Sequence, residues 1–410
     1  MSQTPKVPMP LEGIRVLDWT IWQQGPVATM MLADLGADVI KIESREGGDP
    51  GRGMESSGGV DLNSRLENAY FEGNNRNKRS IALDLKHPEG RDIVRALAKA
   101  SDVFAHNFRE GVPERLGLGY DDLKAGNEKL IYAAASGYGP EGPDSGEPSF
   151  DLIGQARSGL MMAVGEPGMP PLPVGGGVSD QVGAIMLCHG IMTALLARER
   201  FGVGQRVDTS HLGSMAWMQG LALTFKLLAE ADLPRAARAE AANPLWNVYQ
   251  CSDGEWLCLS MLQADRYWGD VCKVVGREDM IVDERFATPA ARDENCGAAV
   301  AELDAEFIKR PWPHWNERLK AGGDLIFCRV QTVGELASDE QMIKNDYVVD
   351  FEHPNYGTIR QVGLPLTLSE TPGGLRLPAP EHGQHTEEVL IDVLGYSWDD
   401  IGELRKKEVL

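Results

Sequence analysis

The chain is poor in the features that build metal, disulfide, nucleotide and membrane sites. Its six cysteines (Cys188, Cys251, Cys258, Cys272, Cys296 and Cys328) are scattered, and none forms a CxxC pair. That pattern excludes the usual zinc and dithiol motifs and a disulfide framework, and it suits a reducing cytoplasm. Cys188 sits in an apolar stretch and reads as core, since free cysteine is usually buried and inert. No segment reaches ~20 uninterrupted apolar residues, so no membrane span is expected. The opening residues, Met1-Ser-Gln-Thr-Pro-Lys-Val-Pro8, lack the apolar centre of a signal peptide. Positive charge is scarce: 40 Lys and Arg stand against 61 Asp and Glu, a net charge of −21. Such a surface repels nucleic acid and anionic membranes. No GxGxxG follows the first strand, and no GxxxxGK[ST] occurs, so neither a dinucleotide fingerprint nor a P-loop is present. Gly213-Ser214-Met215 lacks the GxSxG frame of a nucleophilic serine, and His382 and His385 lack zinc-ligand spacing.

What remains is a regular alternation. Ile14–Asp18, Asp38–Ile42, Ser80–Asp84, Asp102–His106 and Leu130–Ala135 read as buried strands. Between them, Pro26 suits a first helical position with a helix over Val27–Leu35 closed by Gly36, and a second helix opens at Pro88. Repeated βαβ units imply an α/β domain with a Rossmann-like parallel sheet. Ligands of such sheets bind beyond the carboxyl ends of the strands. The search therefore narrows to Trp19–Gly25, Glu43–Arg52, Asn107–Gly111 and Ser136–Pro143. Composition shifts after Arg206. The reading is a large domain over residues 1–206, a linker helix over 207–235, a smaller α+β domain over 236–327, and a C-terminal return over 328–410 that completes a discontinuous large domain.

Asp180 stands out within Val174-Gly-Gly-Gly-Val-Ser-Asp180, a glycine loop running into a long apolar helix expected over Val182–Arg200. Aspartate at such a place is a good N-cap. The same place presents unpaired N–H groups and the positive end of the helix dipole, which favour a charged carboxylate.

An ordered set of motifs adds to this. Leu11-Glu-Gly-Ile-Arg-Val-Leu-Asp18, Gln23-Gln-Gly-Pro26, Leu35-Gly-Ala-Asp-Val-Ile-Lys-Ile-Glu43 and Gly48-Asp-Pro-Gly-Arg52 come first. Asn77 to Lys86, Asn107 to Gly111, Ser136-Gly-Tyr-Gly139, Phe150 to Gly159, Asp253 to Trp256 and Gly383 to Leu390 follow. Together they closely resemble the class III CoA-transferase family, also called the CaiB/BaiF family, from about Leu11 to the end of the chain. The resemblance implies that Asp180 is the nucleophile and that Gln23 is an active-site glutamine. It implies contacts to coenzyme A from Gln24, Arg45, Leu83, Asp84, Leu85, Lys86, Asn107, Phe108, Arg109, Arg115, Gly137 and Tyr138. Coenzyme A and its acyl thioesters would be substrates, with no permanently bound cofactor and no metal. An interlocked dimer is implied, either a homodimer or a heterodimer with a homologous subunit.

Two departures bear on substrate. Formyl-CoA transferases carry a glycine run in the small domain, absent here between Val207 and Asp253, and an arginine directly after the motif glutamate, where Ser44 stands here with Arg45 behind it. Trp19, Trp22, Trp217, Met215 and Met218 either pack in the core or favour a bulky or aromatic acceptor acid such as an arylsuccinate, with succinyl-CoA as donor. Two other readings share the fold. A racemase of α-methylacyl-CoA needs a proton carrier on each face of the α-carbon; its histidine position is Phe150 here, and no nearby histidine is expected to replace it. An acyl-CoA-binding subunit of a heteromeric transferase is the third.

Overall fold

A computed structural model describes residues 7–410. The chain begins with β1 (Arg15–Trp19), α1 (Gln24–Asp34), β2 (Asp38–Ser44), β3 (Lys78–Leu83) and α2 (Pro88–Lys99). β4 (Val103–His106), β5 (Ile131–Ser136), α3 (Asp151–Arg157), α4 (Val178–Phe201) and β6 (Arg206–Ser210) follow. The six strands form one sheet in the order β3-β2-β1-β4-β5-β6, with every neighbouring pair parallel. The order reverses between β1 and β4. A crevice opens there beyond the strand ends, the usual ligand site of a doubly wound sheet.

Period-two alternation builds a core on each face. Val16, Val39, Val103 and Ile131 face one side, with α1 and α4 over them. Leu17, Ile40, Ile81, Phe104 and Tyr132 face the other, with Ile93, Val94 and Leu97 of α2. Val389, Leu390, Ile401 and Leu404 of the C-terminal stretch complete that second core. α1 is apolar nearly all round because both the sheet and α4 cover it. α2 starts at Pro88, as its sequence predicts, with His87 accepting a hydrogen bond from the Glu89 N–H.

Beyond the sheet come α5 (His211–Met218), α6 (Gly220–Ala229), β7 (Trp246–Gln250), β8 (Trp256–Ser260), α7 (Ala264–Val275), α8 (Cys296–Phe307) and β9 (Phe327–Arg329). The hairpin of β10 (Val348–His353) and β11 (Gly357–Val362) leads to α9 (Thr386–Leu394) and α10 (Trp398–Lys406). Two compact units result. One takes the chain up to Met161, Pro173–Ala231 and Glu340–Leu410; the other takes Met162–Leu172 and Asp232–Asp339. The second has its own three-stranded antiparallel sheet, β9-β8-β7, and a core around Tyr249, Leu257, Trp268 and Phe307.

Some expectations need correcting. α1 starts at Gln24, two residues before Pro26, so the proline stands within the first turn, where its missing N–H leaves no helix bond unmade. α4 starts at Val178, so Asp180 is its third residue and not its N-cap. Gly177 takes the cap position in a left-handed conformation, φ 68°. α4 is also long and apolar enough to cross a membrane by composition, which the count of uninterrupted apolar residues missed. Its packing against α1, α3, β5 and β6 covers Ala184, Leu187, Ile191 and Leu195, whereas Ile185 and Leu196 remain exposed.

Charges are buried beneath the β1–α1 turn. The Lys78 ammonium lies 2.8 Å from Asp18, and the Lys41 ammonium lies 2.8 Å from Asp49. Beside them, Arg52 grips Glu43 in a fork with two 2.7 Å bonds and stacks 3.6 Å above the Phe71 ring. Burial opposes the Glu43 charge, but the Arg52 fork, the Lys41 charge and the Ser80 hydroxyl outweigh it and hold the carboxyl below its ordinary range. This stabilisation is complete above the ordinary glutamate range and is lost as pH falls toward the folded value. Replacing Arg52 with Met should cost ~3 kcal/mol, because it strips the buried Glu43 carboxylate of its forked ion pair. The acid-unfolding midpoint should move to higher pH by circular dichroism; an unmoved midpoint would show that the fork contributes nothing.

Candidate active site

Two close approaches set the geometry around Asp180. A Cβ on Gly177 would lie 2.7 Å from the Gln23 amide, and one on Gly154 would lie 2.0 Å from the Ser179 hydroxyl. Only glycine lets the β1–α1 turn and α3 come this near to the start of α4. The gap at the helix start is closed from outside the helix. Asp151 Oδ1 accepts from the Ser179 N–H at 2.6 Å and the Asp180 N–H at 3.2 Å, so α3 caps α4. Asp151 Oδ2 accepts from Gln155, whose amide also pairs at 2.9 Å with both backbone groups of Val174. The glycine loop is thereby held at both ends.

The Asp180 carboxylate is thus free of capping duty. Its Oδ1 lies 2.8 Å from Nε2 of His211, the first residue after β6. His211 Nδ1 lies 3.1 Å from the Ser149 hydroxyl. The expectation that no histidine lies near is therefore wrong. His211 is 31 residues from Asp180 in sequence, and parallel strand order brings it in. The signal was present, since His211 immediately follows a parallel strand, where ligands bind.

A cavity of about 570 Å³ opens over these groups, at the sheet's switch point. Asp180, His211, Gln24, Asn107, Phe108, Arg109, Arg115 and Gly137 line it, with Trp22 and Phe150 in edge-to-face contact at 6.1 Å. Arg109 and Arg115 are exposed, and their guanidinium groups have no ion-pair or hydrogen-bond partner among the described residues. Two unpaired cations in so acidic a chain suit a multiply charged anion. Gln24 is buried and its amide nitrogen lacks a partner. Such a group is costly unless a ligand satisfies it. Asn107 is committed elsewhere, because its amide accepts from the Ile21 N–H and donates to the Ile21 carbonyl. Phe108 both lines the cavity and packs on Trp19, with ring centroids 4.2 Å apart.

The other expected residues lie elsewhere. Gln23 faces Gly177 and receives a long hydrogen bond, 3.4 Å, from the Tyr70 hydroxyl. Burial pushes the Tyr70 phenol up, and the charges of Asp180, Asp49 and Asp151 add to it, so Tyr70 stays a neutral donor. Sequence reading gave no sign of Tyr70, which arrives from a short helix, Ala69–Asn75. Arg45 binds the Glu408 carbonyl at 2.9 Å. Leu83 is buried in the sheet core, Asp84 turns the chain onto the Lys86 N–H, Leu85 packs on the same core, and Lys86 is exposed. These four and Tyr138 do not line the cavity. Of the bulky residues, Trp22 reaches it, whereas Met215 is buried and Trp217 and Met218 are exposed away from it.

The chain as a whole is similar to known proteins. The family model described as CoA-transferase family III matches residues 11–386. Succinyl-CoA–D-citramalate CoA-transferase of Chloroflexus aurantiacus is 33% identical, with 100% of both chains covered. Succinyl-CoA:glutarate CoA-transferase of Mus musculus is 33% identical over 97% of this chain and 88% of its own. A CAIB/BAIF family protein from Brucella suis superposes with a TM-score of 0.82 at 28% identity, covering 94% of this chain and 100% of that one. With a family match across most of its length and relatives aligned from end to end, the chain belongs to CoA-transferase family III.

Proposed function

We propose that Asp180 carries the CoA transfer of this family by covalent catalysis. The observation that carries the reading is the position of its carboxylate. It sits at the start of α4, unburdened by capping, and lines a cavity that also holds two unpaired arginines. The carboxylate attacks the acyl-CoA thioester, giving an aspartyl anhydride and CoA thiolate. The thiolate returns to the aspartyl carbonyl and releases the donor acid, leaving an aspartyl-CoA thioester. The acceptor acid displaces CoA to form a second anhydride, and the thiolate takes its acyl group. Each intermediate retains the activation of the thioester, so ATP is not needed, provided that water is kept out.

Arg109 and Arg115 bind CoA phosphates, Gly137 borders the pantetheine arm, and Phe108 packs against the nucleotide side. The unpartnered Gln24 amide donates to the thioester carbonyl as charge develops there. Gln23 is a second donor; the Tyr70 hydroxyl on its oxygen leaves its amino group for the substrate. Arg45, Leu83, Asp84, Leu85, Lys86, Asn107 and Tyr138 frame the loops around the nucleotide.

Succinyl-CoA is the proposed donor, supported by relatives named for it. The same relatives are named for dicarboxylic acceptors, citramalate and glutarate. Trp22 and Phe150 add an aromatic wall. An arylsuccinate satisfies both features. Racemisation is disfavoured by geometry: its two bases must flank an α-carbon, and no carbon fits between groups 2.8 Å apart. We also propose a Rossmann-like, discontinuous large domain and an interlocked dimer, of this chain or with a homologous subunit. α6 supports the dimer, since none of its residues is buried and Leu221, Leu227 and Leu228 are at least 70% exposed.

Asp180→Asn should lower CoA exchange by about 10³-fold or more while calorimetry still detects CoA binding. An active variant would rule out the nucleophile. Arg109→Ala and Arg115→Ala should each raise KM for acyl-CoA roughly tenfold with little change in kcat, the worth of a charged hydrogen bond. Equal losses in kcat would place the arginines in the chemistry instead. A panel of carboxylic acids offered to the purified chain with succinyl-CoA, read by mass spectrometry, tests the acceptor class. No exchange by the chain alone would point to an obligatory partner subunit, and light scattering from a stable monomer would sink the dimer.

A further inference from the structure

Asp180 has two oxygens, and the structure treats them differently. Oδ1 is engaged by His211 at 2.8 Å, whereas Oδ2 has no hydrogen-bond partner among the described residues. His211 is itself fixed. Its side chain is 5% exposed, its Cβ lies against Gly154, and Ser149 holds its other ring nitrogen. Ser149 is in turn wedged where a Cβ on Gly137 would come within 2.3 Å of its own Cβ.

An ionised carboxylate only accepts hydrogen bonds, so the proton between the two groups sits on His211 Nε2. In the neutral ring Nδ1 is then an acceptor, and the Ser149 hydroxyl donates to it at 3.1 Å in preference to the Phe150 carbonyl at 3.4 Å. We propose that His211 is a catalytic residue of the transfer, the oxyanion donor for the steps that occur at the Asp180 carbonyl itself. This rests on Asp180 as nucleophile and extends it.

The bond changes define the role. Oδ2 attacks the donor thioester and becomes the bridging oxygen of the anhydride, while Oδ1 becomes the carbonyl oxygen. CoA thiolate then forms a C–S bond to the aspartyl Cγ, and the carbonyl electron pair moves onto Oδ1. Collapse breaks the bond from Cγ to the bridging oxygen, and the donor acid leaves as its carboxylate. Next, a carboxylate oxygen of the acceptor bonds to Cγ, the pair again moves onto Oδ1, and CoA thiolate leaves. CoA thiolate finally attacks the acceptor carbonyl and frees Asp180. No proton or electron is gained or lost overall. Both tetrahedral intermediates at Cγ place their negative charge on Oδ1, which already faces a donor at oxyanion-hole distance. The donor needs no rearrangement when the charge appears.

A second consequence separates this role from simple packing. The oxygen that attacks in each cycle departs with the donor acid and is replaced by one from the acceptor. Oδ1, pinned by His211, is carried through every turnover. Incubating the enzyme with succinyl-CoA and a heavy-oxygen-labelled acid that it accepts should therefore place one heavy oxygen in the Asp180 peptide, never two. In His211→Leu the carboxylate is free to turn, and the second oxygen should exchange as well. The same variant should form the aspartyl-CoA thioester about 10²-fold more slowly in single turnover, at unchanged KM for acyl-CoA. His211→Gln, which returns an N–H near the Nε2 position, should recover most of that rate, a rescue that also separates lost chemistry from lost folding. Two heavy oxygens appearing together in the wild-type peptide would overturn the proposal. So would full-rate thioester formation in His211→Leu. Exchange that leaves Asp180 unlabelled would overturn the nucleophile itself, and this inference with it.

Discussion

The site stands on the buried charges under the β1–α1 turn. The Lys41 ammonium is buried between Asp49, at 2.8 Å, and the Thr20 carbonyl, also at 2.8 Å. The Lys78 ammonium contacts Asp18, the Pro26 carbonyl, Thr29 and Asn75. Burial pulls Lys78 down to about 8 against the charge of Asp18. Burial works against the Asp18 charge too, but the two lysines outweigh it and hold its carboxyl below the usual range. Losing one partner of such a set leaves a charge with no solvent, so the set is kept or lost as a unit. Its members lie on β1, β2, β3 and the loop after β2. They anchor the turn that presents Trp22, Gln23 and Gln24. Trp22 adopts a positive φ of 65°, which few non-glycine residues tolerate, and Asp49 accepts its N–H at 3.1 Å.

On that base the start of α4 can be placed closely. Gly177 and Gly154 remove the side chains that would separate it from the turn and from α3. Asp151 then satisfies the helix N–H groups that Asp180 would otherwise have capped. The outcome is a division of labour between two carboxylates at one helix start. One caps, and the other faces the cavity with His211.

Much of this was legible in the sequence. The parallel sheet followed from buried runs alternating with helical periods, and five strand positions were correct to within a residue or two. Asp180, Gln24, Phe108, Arg109, Arg115 and Gly137, all carried by the sequence motifs, share one cavity. Asp is a better helix cap than Gly in isolation, but here a neighbouring helix supplies the acceptor and leaves the cap position to Gly177. Leu83 to Lys86 and Arg45 carry motif character but meet the core, the C-terminal stretch or solvent. Motif spacing records which residues recur together, not which way each side chain turns.

The sequence by itself determined the sheet, the family and the helix that carries Asp180, because each rests on local periodicity or on motifs contiguous in the chain. Tertiary structure alone decided what touches Asp180. His211, Ser149 and Asp151 approach from separate elements, and their meeting depends on strand order and on two glycine contacts. Neither leaves a local pattern, since a contact between distant residues is set by the packing of whole elements.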